Sequence, residues 1–393
     1  MFLLTSPRGE GTVDSRSLRK LECEPMKTFD VQIHGSGIVG SATALALSRQ
    51  GLSVAVVPPA APRVDDVRAY ALNAASVALL DSLKIWGALP ADARTPVYDM
   101  RVQGDAGSAN ALRFSAWQQR VRELAWIVDA AALQAELALA LRYAPHVEHT
   151  AEPVQAALQV VAEGKASATR ERFGVAFQTH DYGQRAIAAR LTSSEPHQGL
   201  ARQWFRAPDV LALLPTDRPQ AGHGLALVWS LPAARAESLL ALDDAAFEAE
   251  LAQATAGAAG DLRLASSRTA WPLALARAER ICGPGWVVLG DAAHLVHPLA
   301  GQGLNLGLAD VAALAQVLAE RETWRTLSDV RLLERYARKR EGPTRAMLGM
   351  TDGLLQLFSH PAPWAKELRN RGLGLVNAAT PIKRWLTSRA LGL

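Results

Sequence analysis

The chain's hydrophobic pattern switches repeatedly between strand-like and helical periods. Residues 29–34 alternate apolar and polar positions as a strand does, and the run stops at Gly35. Residues 38–49 are rich in Ala and Leu at helical spacing, and Gly51 ends them. A short apolar run at 52–57 has the composition of a buried parallel strand. Together these predict a strand–turn–helix–strand unit. Further helices are expected at 74–83 and 131–141, and a short strand at 158–161.

The middle differs. Runs at 185–192, 200–206, 210–214 and 225–230 are short and closely spaced, with Pro, Gly, Asp and His turns between them, which predicts an antiparallel sheet. Helices are expected at 233–240 and 244–254. An apolar strand at 286–289 leads into Gly290, and helical periodicity dominates from Gly303 onward. Parallel elements at both ends with antiparallel ones between predict an α/β protein. Its Rossmann-like dinucleotide domain is discontinuous, with an inserted antiparallel β-sheet substrate domain and a helical C-terminal region. The expected ranges are 29–100, 125–170 and 275–320 for the first, 101–124 and 171–274 for the second, and 321–393 for the third. Residues 1–28 form an extension expected to be disordered. Met26 just before the first strand leaves an upstream start open for residues 1–25.

Composition narrows the class. With 393 residues, 49% hydrophobic and 20% charged, the chain has the makeup of a soluble enzyme of more than one domain. A net charge of +4 with scattered Lys and Arg predicts no nucleic-acid partner. The densest basic run, Arg335, Arg338, Lys339 and Arg340, is expected to be a solvated helix face. Two cysteines, Cys23 and Cys282, predict no disulfide framework and a reducing, cytoplasmic compartment.

The candidate chemistry lies in two glycine-rich turns. Gly35, Gly37 and Gly40 form a G-x-G-x-x-G turn between strand and helix. There the first glycine allows a tight bend, the second lets backbone approach a pyrophosphate, and the third lets helix pack on strand. Some 250 residues later come Gly290-Asp291 and then Gly301-Gln302-Gly303-Leu304-Asn305. Two such turns point to a long dinucleotide held at both ends, and FAD is the natural candidate. Asp291 either accepts hydrogen bonds from a ribityl chain or caps the following segment. Gly301, Gln302 and Gly303 at a helix start would stabilise negative charge on a reduced flavin, and Asn305 would bond its pyrimidine edge. The acid expected about 20 residues after the first turn is replaced by Pro58-Pro59-Ala60. Either Asp65 or Asp66 reaches back, or backbone and water hold the ribose. His294 and His297 predict packing and hydrogen bonding rather than a metal site.

The chain resembles the class A flavoprotein aromatic hydroxylases, and within them the ubiquinone-biosynthesis hydroxylases of the UbiH/UbiF/UbiI type. The resemblance runs from about Phe29 to the C-terminus. It includes the glycine turn, Arg68-Ala69-Tyr70-Ala71-Leu72-Asn73, Leu83-Lys84-Ile85-Trp86, Asp181-Tyr182-Gly183-Gln184 and the stretch 290–307. The tail adds Tyr336-Ala337-Arg338-Lys339-Arg340, Thr351-Asp352-Gly353-Leu354 and Pro381-Ile382-Lys383-Arg384. The resemblance implies that Arg68 and Gln134 contact FAD, Asp291 binds the ribityl chain, and His297, Pro298 and 301–305 border the ring. The family's Asp-Gly motif reads Glu163-Gly164 here, with Ser167 and Arg170 at the family spacing and the segment 145–162 shortened. Arg170 is either part of that cofactor motif or a surface arginine.

The implied reaction is hydroxylation of a polyprenylated phenol by O2 through a flavin hydroperoxide, with NAD(P)H as electron donor. The cofactor carries the difficult step, so no catalytic side chain is assigned. The basic surface and apolar tail are compatible with peripheral contact with a membrane or a ubiquinone-biosynthesis complex. Two other functions stay open: a hydroxylase of a soluble phenolic compound, and a non-catalytic scaffold of the same fold.

Overall fold

The computed structural model describes residues 28–58, 66–104, 111–296 and 302–359, with side chains of the last helix described as far as Gly353. The expected N-terminal extension, Pro59, Asp65, His297, Pro298, Gly301 and the tail motif at 381–384 lie outside those residues.

The chain begins with β1 (Phe29–His34), α1 (Ile38–Ser48), β2 (Val54–Val57), β3 (Ala69–Leu72), α2 (Ala74–Ser82), β4 (Arg94–Val97), β5 (Asp99–Gln103), β6 (Leu112–Ser115) and α3 (Ala116–Gln119). It continues through β7 (Ala125–Asp129), α4 (Ala130–Arg142), β8 (Val147–His149), β9 (Ala156–Val161) and α5 (Ala168–Arg172). The middle is β10 (Phe177–Ser193), β11 (Leu200–Arg206), β12 (Asp209–Thr216), β13 (Gly224–Pro232), α6 (Ala233–Leu240) and α7 (Asp244–Thr255). The return runs through β14 (Leu262–Leu264), β15 (Thr269–Ala278), β16 (Cys282–Gly283), β17 (Trp286–Val288) and β18 (His294–Leu295) to α8 (Gln302–Ala319) and α9 (Val330–Ser359).

These elements build an α/β fold. The discontinuous Rossmann-like sheet has the order β16-β17-β9-β1-β2-β8, parallel apart from the β16–β17 pair. Its central strands are largely buried: β2 is Val-Ala-Val-Val, while β1 and β9 intersperse Asp30, Gln32, His34 and Gln159 among apolar residues. Helix α1 is small-residue-rich because it is enclosed nearly all round, packing on α4 and α8. Asn73 and Asp129 cap α2 and α4, accepting from Ser76 N and Ala132 N. The inserted sheet has the order β18-β15-β10-β13-β12-β11-β5-β6, with β14 pairing off β10. One face carries Trp204, Leu211, Leu213, Leu227 and Trp229 into a second core closed by Phe247 of α7. A small antiparallel sheet, β3-β7-β4, lies between the two large ones in the chain's path.

Three features differ from the pattern-based expectation. β10 is 17 residues long, because its polar first half is held by pairing with β15 rather than by burial. β15 itself escaped notice, since Pro272 and the small residues Ala274, Ala276 and Ala278 blur its period. The small sheet has strands of four or five residues, too short to announce themselves.

Candidate functional site

Three parallel strands, β1, β9 and β17, end side by side, and the turns leaving them meet. Backbone bonds extend the ladder past the strand ends: Ala162 N donates to His34 O at 2.8 Å and Leu289 N to Val161 O at 2.9 Å. The crevice outside the carboxyl ends of such strands is where open α/β sheets bind ligands.

The first turn is set by backbone proximity. Gly35 has φ +103°, and a Cβ there would lie 2.5 Å from Ala162 O. A Cβ on Gly40 would lie 2.0 Å from Gly35 O, so only glycine lets α1 approach its own turn this closely. Gly37 differs: a Cβ there would meet nothing within 4 Å. No side chain caps α1, so its first N–H groups face the open space beside Gly37. Gln134 on α4 steadies the turn by donating Nε2–H to Ser36 O at 2.9 Å.

The second turn docks on the first through Val39. A Cβ on Gly307 would lie 2.7 Å from Val39 Cγ2, and one on Gly290 3.2 Å from the same atom. Beneath it lies a buried ionic cluster. Asp310 Oδ2 accepts from Gly290 N at 2.9 Å and pairs with His294 Nε2 at 2.7 Å. Its Oδ1 accepts from Arg340 Nε of α9 at 2.5 Å. Burial opposes charge on Asp310, yet His294 and Arg340 hold its carboxyl below the usual range. Burial likewise opposes charge on His294, and Asp310 outweighs it, raising the imidazole pKa.

Between the turns and the inserted sheet lies a cavity of about 860 Å³. One end is lined by Gly35, Gly37, Gln134 and Gly164; Arg68, Asp291 and Gly303 follow. The far end is mostly apolar, walled by Met100, Ala212, Leu214, Val228, Trp271 and Leu273, with Arg202 and Gln203 bordering it. Arg68 joins the two ends. Its guanidinium bonds Asp66, with Nε to Oδ1 at 2.6 Å, and lies 5.4 Å from the Tyr70 ring centre and 6.0 Å from that of Trp271. Burial works against its charge, but Asp66, Tyr70 and Asp291 together raise its pKa.

The structure thus gathers Gly35, Gly37, Arg68, Gln134, Asp291 and Gly303 around one space, with Gly40 packed directly behind. Asp291 lies within the short 3-10 turn Gly290–Ala292 rather than capping α8. Pro58 and Asp66 both line the cavity, and Asp66 is engaged with Arg68. Asn305 is placed otherwise than expected. The Asn305 amide is taken up inside the protein, with Oδ1 accepting from Asn73 N and Ser76 Oγ, and Nδ2 donating to Ala71 O. It therefore ties α8 to β3 and α2, and its side chain has no group left over for a ring edge. Gln302 is buried beside it.

Burial decides one arginine and overturns the expectation for another. Arg170 is buried rather than superficial, donating Nη1–H to Lys165 O and Ala292 O and lying 3.8 Å from the Phe177 ring centre. It braces the Asp291 turn from behind. Glu163 works similarly, accepting from Ser167 Oγ, Thr169 N and Thr169 Oγ1 at the start of α5. Arg340 leaves the solvated run to which its sequence neighbours belong: Arg338 and Lys339 are exposed, and Arg340 is 6% exposed. Asp310 was missed altogether. Its signal was available, since it is the one charged residue in the 18-residue helix α8.

Open space at Gly37, a helix start without a side-chain cap and a cavity of about 860 Å³ fit a dinucleotide. The comparisons agree. The family profile described as an FAD binding domain matches residues 28–123 and 129–350. Ubiquinone hydroxylase UbiL of Rhodospirillum rubrum is 31% identical over 393 residues, covering 93% of this chain and 90% of its own length. The 3-demethoxyubiquinol 3-hydroxylase of Escherichia coli K12 is 30% identical over 392 residues, covering 93% and 98%. Among solved structures, PqsL of Pseudomonas aeruginosa, in complex with 2-aminobenzoylacetate, superposes with a TM-score of 0.74 at 21% identity, over 88% of this chain and 99% of that one. The p-nitrophenol 4-monooxygenase PnpA of Pseudomonas putida DLL-E4 does so with a TM-score of 0.74 at 17% identity, over 93% and 99%. At those identities the superpositions establish the fold.

Proposed function

We propose a function from one premise: this chain belongs to the FAD-binding monooxygenase superfamily. Within it, the chain hydroxylates the aromatic ring of a polyprenylated ubiquinone precursor, using O2 and electrons from NAD(P)H. The observation that carries this reading is the single cavity that runs from the Gly35–Gly37 turn to an apolar sheet face. One end suits a charged dinucleotide, and the other suits a ring with a hydrocarbon chain.

When bound, FAD supplies the oxygen-activating redox chemistry. The protein's part is to bind, orient and exclude water. The Gly35 turn and the N-terminus of α1 would hold the pyrophosphate. Asp291 would accept from the ribityl hydroxyls, and Gly303 at the start of α8 would offer backbone to the ring's pyrimidine side. Arg68 sits where it can neutralise charge between cofactor and substrate. The apolar wall of Met100, Leu214, Val228 and Leu273 would exclude water from the reacting ring. The resemblance to ubiquinone hydroxylase UbiL and to 3-demethoxyubiquinol 3-hydroxylase favours the polyprenyl substrate over a soluble phenol.

The test is direct. Purified protein reconstituted with FAD is titrated with NAD(P)H, and its flavin absorbance is followed with a polyprenyl phenol, with a short-chain phenol and with none. The reading expects bleaching, recovery in air and a hydroxylated polyprenyl product. Equal turnover of the short-chain phenol would move the substrate to the soluble class. Failure to take up FAD would leave a scaffold.

A further inference from the structure

Three arginines stand in register on adjacent strands of the inserted sheet. Arg101 of β5 pairs with Arg113 of β6 on one side and with Arg202 of β11 on the other. Paired residues point to the same face. Trp204, two residues beyond Arg202, packs in the core under α6 and α7, so the row lies on the side of the sheet opposite Ala201 and Gln203, although Arg202 also borders the cavity. Like charges directly opposite one another destabilise a sheet, so the row needs a reason. No ion pair or side-chain hydrogen bond engages any of the three among the described residues. The nearest acid in the register, Asp99, lies two pairs along on the same face, opposite Leu200 and Ser115. The Arg202 Nε is buried without a partner. Burial, with Arg101 adding to it, lowers the Arg202 pKa, the cost expected of an uncompensated cation.

Guarding an edge strand against aggregation accounts for one charge, Arg113 on the outermost strand. It does not account for Arg101 and Arg202, which lie inside the sheet. The chain just beyond β6 adds a second kind of exposed group. Trp117 on α3 is 88% exposed, and Ala116 N bonds to the carbonyl of Tyr98, itself 47% exposed. Arg120 and Arg122 follow, both exposed.

We infer that the Arg113–Arg101–Arg202 row, with Trp117 beside it in the chain, is a docking surface for an anionic phospholipid layer. Strands about 4.8 Å apart spread the row over about 10 Å, wider than one phosphate and matched to a repeating layer of headgroups. An indole next to cationic side chains suits the boundary between headgroups and acyl chains. The inference deepens the proposed function in one respect, since a water-insoluble polyprenyl substrate resides in such a layer. The charge argument stands without it.

The experiment is co-sedimentation of the full-length protein with vesicles of pure phosphatidylcholine or with 40% phosphatidylglycerol (a composition on the order of that needed to attract polybasic surfaces). Binding is expected only to the anionic vesicles and to weaken with salt. The triple variant R101Q/R113Q/R202Q should lose about 100-fold in affinity, from about 1 kcal/mol per charge. The double variant R101Q/R113Q, which spares the half-buried Arg202, should lose about 30-fold at matched melting temperature. Trp117→Ala should lose several-fold. Removing three charges elsewhere, at Arg142, Arg331 and Lys339, should leave binding within about threefold. The inference is overturned if wild-type protein ignores anionic vesicles or binds neutral ones equally, or if the row variants match the control variant. Capture by polyglutamate without vesicle binding would also overturn it, in favour of an acidic protein partner. Flavin uptake is read separately on the same samples, so failure here and failure of the proposed activity are distinguishable.

Discussion

The turn at Gly35–Gly40 and the turn at Gly290–Gly307 meet at the same cavity, but different forces hold them. The first is fixed by backbone fit: Gly35 against Ala162, Gly40 against Gly35 O, and ladder bonds that continue past the strand ends. The second is held from beneath by Asp310, which binds the Gly290 N–H and is itself held by His294 and Arg340. Steric fit does not depend on pH or salt. A buried charge cluster depends strongly on each member, because removing one leaves the others uncompensated. The contrast teaches that one cofactor cleft can have a rigid wall and a wall sensitive to changes far from the ligand.

The largest expected effect comes from breaking the cluster. Asp310→Ala leaves His294 and Arg340 buried without their anion and should cost about 3–5 kcal/mol in denaturant unfolding. It should also speed amide exchange at 289–293 in the cofactor-free protein. An equal loss with no change in exchange there would show that Asp310 does not hold the turn.

A smaller effect tests how the turns dock. Gly307→Ala pushes a methyl toward Val39 and should cost about 1–3 kcal/mol. Adding Val39→Ala should recover at least about 1 kcal/mol of that cost in a double-mutant cycle. Additive losses would mean that Val39 is not the point of contact.

The smallest effect is on pH dependence. The Asp310 carboxyl is lowered, so its contribution is full above about 3.9 and is lost as pH falls through the lower folded value. The His294 imidazole is raised, so its contribution is full below about 6.5 and is lost as pH rises through the higher folded value. Wild-type protein should therefore lose more stability than His294→Gln between neutral and alkaline pH. Gly40→Ala should show a pH-independent loss. Parallel stability curves for wild type and His294→Gln would remove the electrostatic half of the comparison.

Much of the first turn was legible in the sequence. Strand β1, the start of α1 and the glycine spacing are short-range features, set by periodicity and by the absence of a Cβ. The role of Arg340 was not legible. Its neighbours in the chain are solvated, and the residue that gives it a purpose lies 30 positions away on another helix. Asn305 shows the same limit. Its place in a glycine-rich stretch pointed to the ligand, whereas its amide binds β3 and α2 from more than 200 residues away.

The sequence by itself determined the strand–turn–helix–strand unit at its start, where α1 begins, and that two glycine turns serve one protein. Those properties follow from steric rules acting over a few residues. Only the tertiary structure decided which buried charges compensate one another, that Arg170 faces inward, and that three arginines share a row. Such pairings depend on sheet register and helix packing between distant parts of the chain, and no local pattern encodes them.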